Sequence, residues 1–122
     1  MAKAARALAS AKLLLAASDV DGACNRAYYA MFDAAQAALI WASPDTNPAD
    51  IRTHRGLIAA FGNHLVRTGS VSAELGKSLN QVERIRLLAD YTGDDVSIEQ
   101  ANWAVVQAET FIAGIQKRLD GR

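Results

Sequence analysis

The sequence predicts an all-α protein, an up-and-down bundle of four to five helices. Three observations predict it. Apolar residues recur at alternating spacings of three and four, the signature of one buried helix face. Residues that cap helix N-termini stand just before most of the periodic segments. No segment shows the strict apolar–polar alternation of a half-buried strand.

The first helix is expected over about 2–17, with Ala4, Leu8, Ala11 and Leu15 on one face. Ser18-Asp19 offers an N-cap for a second helix over about 19–41. The segment 43–48 holds both prolines together with Asp, Thr and Asn, and reads as a loop. Thr53 caps a third helix, which ends near Thr68-Gly69, where glycine suits the position after a helix. Ser72 opens a fourth helix running to about residue 91, and 92–95 reads as a turn. Ser97 and Gln100 form a capping box that starts the last helix. There Ile98, Ala101, Val105, Ala108, Ile112, Ile115 and Leu119 form a single seam. Trp103 and Phe111 lie off it and suit a second contact, with a neighbouring helix or loop favoured over a partner protein.

A chain of 122 residues fits one domain, taken here as 1–122. Roughly two-thirds of the unfolded surface is buried at this size, enough for a core without staples. Thirteen Lys and Arg balance thirteen Asp and Glu, so no global field draws the chain to nucleic acid. RNA binding would need a local basic patch. Cys24 is the single cysteine, which excludes an internal disulfide and a cysteine-based zinc site. The two histidines alone make no metal cluster, and nothing in the sequence calls for a cofactor. The run at 13–17 is too short for a signal peptide, and no stretch reaches the ~18 apolar residues that span a bilayer. A reducing cytoplasm is the simplest compartment.

Four places break the helical pattern. In the fourth helix Leu75, Leu79, Val82, Arg86 and Ala89 follow the four-three spacing, so Arg86 occupies a position made for a hydrophobe. A buried guanidinium without acceptors is costly. Asp90, one turn later, can hold it, and Tyr91 adds a hydroxyl. The cluster reads either as a core Arg–Asp pair or as a functional pocket. In the second helix Cys24, Tyr28, Met31, Ala35 and Leu39 form an ordinary core face. Asn25, Tyr29, Phe32 and Gln36 form a more polar stripe beside it. Arg26 lies opposite the core among Gly22, Ala30, Asp33 and Ala37, a small-residue face that another helix could approach closely. Arg26 is there a solvated partner of Asp33, a dimer contact or a site arginine. His54 starts the third helix on the stripe of Leu57, Ile58 and Phe61, where the helix N-terminus favours a neutral ring. It reads as a satisfied core histidine or as the rim of a site. Arg55 beside it can meet an anion, and His64 reads as surface. Gly69 and Gly76-Lys77-Ser78 resemble a phosphate loop only superficially, since the glycine spacing is wrong and no strand precedes them.

Asn25-Arg-Ala-Tyr-Tyr-Ala-Met-Phe32, Thr53-His-Arg-Gly56 and Arg86-Leu-Leu-Ala-Asp-Tyr91 occur in this order, with the Thr68-Gly69 stop between the last two. Together with the late stretch 101–119 they resemble small bacterial and archaeal HEPN-domain proteins, over about 7–119. The resemblance implies a helical bundle that usually forms a homodimer. It implies a gene partner, a minimal nucleotidyltransferase acting as antitoxin to a HEPN toxin. It also implies metal-independent ribonuclease chemistry in members that carry an Arg, four to six residues and then a His.

Arg86 matches that Arg, and Tyr91 stands where the His belongs. Histidine titrates near neutrality and suits general base work, whereas tyrosine, with a pKa near 10, needs strong activation. Weak or no ribonuclease activity is therefore expected of the isolated chain, with Arg86 and Tyr91 as the candidate catalytic pair. His54 could stand in only if folding brings it to Arg86. In some HEPN toxins a motif tyrosine is silenced by modification, which makes Tyr91 a possible adenylylation target. Two readings follow. One is a toxin-like component acting on RNA, with Asn25, Arg26, Tyr29, His54, Arg55 and Asp90 as binding residues. The other is a non-catalytic dimeric scaffold or nucleotide-binding module, which an Arg86 sealed from solvent would favour.

Overall fold

Five α-helices account for most of the chain in the computed structural model: α1 (Ala2–Ala16), α2 (Val20–Ala42), α3 (His54–Phe61), α4 (Ala73–Leu87) and α5 (Ile98–Asp120). The structure describes residues 1–92 and 95–121, without the side chains of Pro48, Tyr91 and Thr92. No strand occurs among the described residues, as the spacing predicts. Among the described residues no helix is long and apolar enough to cross a membrane.

α2 is the central element. It packs on α1, α5, α4 and α3, and its contacts with α1 and α5 are the most extensive. The reason lies in its alanines. Ala23, Ala27, Ala30, Ala34, Ala35 and Ala38 are all buried, and they meet Ala4, Ala7 and Ala11 of α1 and Ala101, Ala104 and Ala108 of α5 in one core. Small side chains on facing helices bring the backbones close, and larger ones (Leu39, Leu57, Phe61, Phe111, Ile115) fill the remaining space. On the small-residue face of α2, Ala30 is fully buried within the chain's own core. Asp33 on that face pairs with Lys3 of α1 at 3.7 Å, not with Arg26.

Local chemistry sets the boundaries. Asp19 accepts from the backbone of Gly22, and Thr53 from that of Gly56, each satisfying an orphan donor of a first turn. The capping box at Ser97 and Gln100 forms in both directions. The α1–α2 turn is made by Ser18 at φ +66°, with the Asp19 amide donating back to Leu14. Gly69 takes φ +78° after the third helix, in the left-handed region that favours glycine.

Two helices end differently from expectation. The third runs as α-helix only to Phe61 and continues as a single π-turn over Gly62–Val66. The fourth becomes a π-turn at Leu88–Thr92. Such widened turns are mostly single turns within helices and are frequent at functional sites, and the second one carries Asp90. The predicted turn at 92–95 falls largely outside the described residues.

The predicted seam of the last helix is buried at Ala101, Val105, Ala108 and Ile115, but Ile98 in the first turn is exposed, and the buried stripe is wider than the seam in the middle of the helix. Ala104 and Phe111 are buried too, and Phe111 meets Phe61 of α3 with ring centroids 5.4 Å apart. The second contact expected of Phe111 is therefore a neighbouring helix. Trp103 remains about one-third exposed.

Candidate functional site

Arg86 reaches the interior because its register on α4 leaves it no other direction. It is 5% exposed. Its Nη1 donates to Asp90 Oδ2 at 2.9 Å, one helical turn on, as the spacing predicts. Its guanidinium carbon lies 4.8 Å from the centre of the Tyr28 ring and 6.0 Å from that of Tyr29. An aromatic face contributes about 1 kcal/mol or more to a desolvated cation. Nε is buried without a hydrogen-bond partner among the described residues.

Tyr28 and Tyr29 are consecutive on α2, so they diverge by about 100° around the helix and clasp the cation from two sides. Their rings meet edge to face at 5.4 Å. His54 closes the aromatic cluster from α3. Its ring centroid is 5.4 Å from Tyr28, 5.7 Å from Tyr29 and 5.3 Å from Phe32. Thr53 fixes the start of α3 and hence the place of His54. Gly56 lets that turn approach the preceding 3₁₀ turn (Pro48–Ile51), because a Cβ there would collide with the carbonyl oxygen of Asp50. Gln36 of α2 ties the same turn down through the carbonyl of Ile51 at 3.0 Å.

A polar chain runs through the cluster. The Tyr28 hydroxyl lies 2.8 Å from His54 Nδ1 and donates to Glu83 Oε2 at 2.9 Å. The Tyr29 hydroxyl is 3.5 Å from His54 Nε2, too far for a strong bond. Burial, the bond to Glu83 and its charge push the Tyr28 hydroxyl well above its ordinary value, so it stays protonated. Burial and then the Arg86 charge hold His54 below its ordinary value, opposed by Glu83. His54 is thus a neutral ring at neutral pH. Burial, with a smaller contribution from Asp21, pushes the Cys24 thiol up to about 11, which removes it as a nucleophile.

The fold therefore gathers Tyr29, His54, Arg86 and Asp90 from three helices, as the sequence allows. Asn25 and Arg26 are partly buried on α2 and form no side-chain hydrogen bond or ion pair among the described residues. The polar company that Arg86 receives from α2 is Tyr28 and Tyr29 instead. Arg55 is exposed on the first turn of α3, next to His54. The Tyr91 side chain lies outside the described residues. Tyr28 and Glu83 were not candidates from sequence. Tyr28 has the spacing of a core residue and is one, apart from its hydroxyl. Glu83 stands three residues before Arg86 on the same helix face, and that offset was the available signal.

This cluster is not the roomiest place on the molecule. A cleft of about 580 Å³ lies at the opposite end of α4, lined by Leu75, Gly114, Lys117 and Arg118 among others. Its lining carries little chemistry: Arg118 is tied to Ser70 at 3.1 Å and stacks over Trp41 at 4.7 Å. Among the described residues no group of three or more His, Cys, Asp or Glu could hold a metal. What the tyrosine–histidine–arginine cluster can offer is a neutral imidazole beside a fixed positive charge. That pairing suits proton abstraction close to an anion.

Comparison with known proteins places these features in a family. The chain matches the HEPN domain over residues 1–118. It is 36% identical over 121 residues to a UPF0332 protein of Thermotoga maritima, covering 97% of this chain and 86% of that protein. It is 34% identical over 112 residues to a Methanocaldococcus jannaschii protein named "Putative toxin MJ0605", covering 92% and 80% of the two chains. A UPF0332 protein of Gloeobacter violaceus is 32% identical over 110 residues, covering 90% and 83%.

Proposed function

The chain belongs to the HEPN family, and from that premise we propose that it is the toxin-like component of a two-gene module, acting on RNA in the cytoplasm. Its partner in this reading is a minimal nucleotidyltransferase serving as antitoxin, and it works as a homodimer. The relative named as a toxin supports the class of activity. The observation that carries the reading is the convergence of His54 and Arg86 on Tyr28, from α3 and α4. It supports the use of His54 in place of the missing motif histidine, because the imidazole and the guanidinium approach the same tyrosine.

The chemistry is transesterification within RNA. The 2′-hydroxyl gives its proton to the free nitrogen of His54 while O2′ bonds to phosphorus. The P–O5′ bond breaks, and the departing oxygen takes a proton from the imidazolium or from water. The products are a 2′,3′-cyclic phosphate and a 5′-hydroxyl end. Arg86 is buried, so it acts through its field on the phosphorane and by holding the tyrosines. Exposed Arg55 is the cation placed to touch phosphate.

One observation favours a second reading, a non-catalytic nucleotide-binding or scaffold module. The 5% exposure of Arg86 suits a core pin as well as a site cation. Induced expression in a bacterial host separates the two. Wild type, His54→Ala and Arg86→Met are each expressed, alone and with any adjacent nucleotidyltransferase gene, and soluble yield, growth and RNA integrity are followed. The RNA reading predicts growth arrest and RNA fragmentation with wild type, relief by the partner, and loss of both effects in soluble His54→Ala. Normal growth and intact RNA with wild type would leave the scaffold reading.

A further inference from the structure

We infer that Glu83 is a positioning residue: through the Tyr28 hydroxyl it fixes His54 in the Nδ1–H tautomer and leaves Nε2 as the proton-accepting atom of the site. A carboxylate has lone pairs and no hydrogen to donate. The 2.9 Å contact between Tyr28 and Glu83 therefore spends the only hydroxyl proton that Tyr28 has. The 2.8 Å contact from the same oxygen to His54 Nδ1 must then be donated by the histidine. An imidazole that donates from Nδ1 in its neutral form carries its lone pair on Nε2.

Three helices enforce this order. Tyr28 is held by the core, fully buried with its ring packed on Phe32 and Tyr29. Glu83 sits on α4 one turn before Arg86, on the side facing α2. His54 is fixed by the N-cap of α3. The ring cannot gain by flipping, because carbon atoms would then take the places of Nδ1 beside Tyr28 and of Nε2 beside Tyr29, and both approaches to a tyrosine hydroxyl would be lost. The arrangement extends by one hydroxyl the logic by which a buried carboxylate orients a catalytic histidine and stabilises the imidazolium as it forms. Here Tyr28 separates carboxylate and ring, so Glu83 supports positive charge on His54 from across a shared oxygen. Arg86, on the face of the same tyrosine, opposes that charge. The ring is thus balanced between a carboxylate and a guanidinium that both act around Tyr28.

The use of Nε2 as a base rests on the RNA-directed reading, but the tautomer does not, and it is read without any substrate. The chain has two histidines, His54 and exposed His64, so ring-¹⁵N-labelled protein gives two sets of imidazole signals. Long-range ¹H–¹⁵N correlation spectra are recorded on the full chain above the titration range of both rings. The His64→Gln variant makes the assignment. The expected result is a protonated-type Nδ1 and a lone-pair-type Nε2 for His54 in the wild type. His64 should show the opposite preference, that of a free imidazole. In Tyr28→Phe the acceptor of the Nδ1 proton is gone, and the His54 tautomer ratio should move toward Nε2–H by about tenfold or more, the worth of a lost charge-supported hydrogen bond. Glu83→Gln should move it the same way, because an amide can donate to Tyr28 and free its proton for His54. Wild-type His54 in the Nε2–H form would overturn the inference, as would a ratio unmoved by both substitutions. The Nδ1–H form together with no RNA cleavage would leave the relay standing and remove the RNA reading.

Discussion

His54 stands between two opposite charges, and its titration reports on both. Burial and Arg86 lower its pKa from the ordinary 6.5, and Glu83 pulls the other way. Replacing Arg86 with Met should raise the midpoint, and Glu83→Gln should lower it, both read by NMR titration of the ring. The linkage to stability has a definite sign. In the unfolded chain His54 takes up its proton at a higher pH than in the fold. Stability from this residue is complete above about pH 6.5 and is lost as pH falls through the folded value. Urea midpoints between about pH 5 and pH 7.5 should therefore fall toward acid in wild type and fall less in His54→Gln. An equal dependence on pH in the two proteins would contradict the burial of a neutral ring. Among single residues, the anomaly of Arg86 was legible because a charge interrupts an apolar spacing. Its aromatic clasp was not. Tyr28 hides in a core pattern, and only its last atom takes part in the polar chain.

At the level of elements, the turns that deliver the site are under measurable constraint. Gly56 carries no side chain because the α3 start lies against the Asp50 carbonyl. Gly56→Ala should cost about 2 kcal/mol as overpacking and displace His54. Lower urea stability together with an altered His54 ring shift would show both effects. Ser18 offers the reverse case. It pays for a left-handed conformation in an exposed turn, so Ser18→Gly should raise stability by ~1 kcal/mol. Unchanged or lower stability would mean that the serine side chain compensates. Helix existence and caps were readable, since Asp19, Thr53 and Ser97 act through local hydrogen bonds within three residues. The π-turns were not, because a widened turn keeps helical composition and apolar spacing. The meeting of α3 with α4 across α2 was not readable either. His54 and Arg86 are far apart in sequence, and only the depth to which α2 sinks between its neighbours brings them together.

The whole molecule carries no net charge, so RNA must be held by a few local cations. Binding should weaken as salt rises, with the shallow slope of a small number of phosphate contacts. Arg55→Ala should reduce that slope by about one contact, as measured by fluorescence anisotropy of a labelled oligoribonucleotide across a salt series. An unchanged slope would remove Arg55 from the interface. The homodimer is a separate matter. Leu13, Ile40 and Val106 are exposed apolar side chains on three helices. Light scattering at micromolar concentration should give twice the 13.0 kDa of one chain. The mass of a single chain would refute the dimer and leave the site untouched.

The most direct test of the account is cleavage by purified protein of a labelled oligoribonucleotide, beside its all-deoxy analogue. The account predicts slow cleavage of the RNA alone, yielding 2′,3′-cyclic phosphate ends and abolished in folded His54→Ala. Cleavage that persists undiminished in folded His54→Ala and Arg86→Met, or that extends to the deoxy strand, would contradict it.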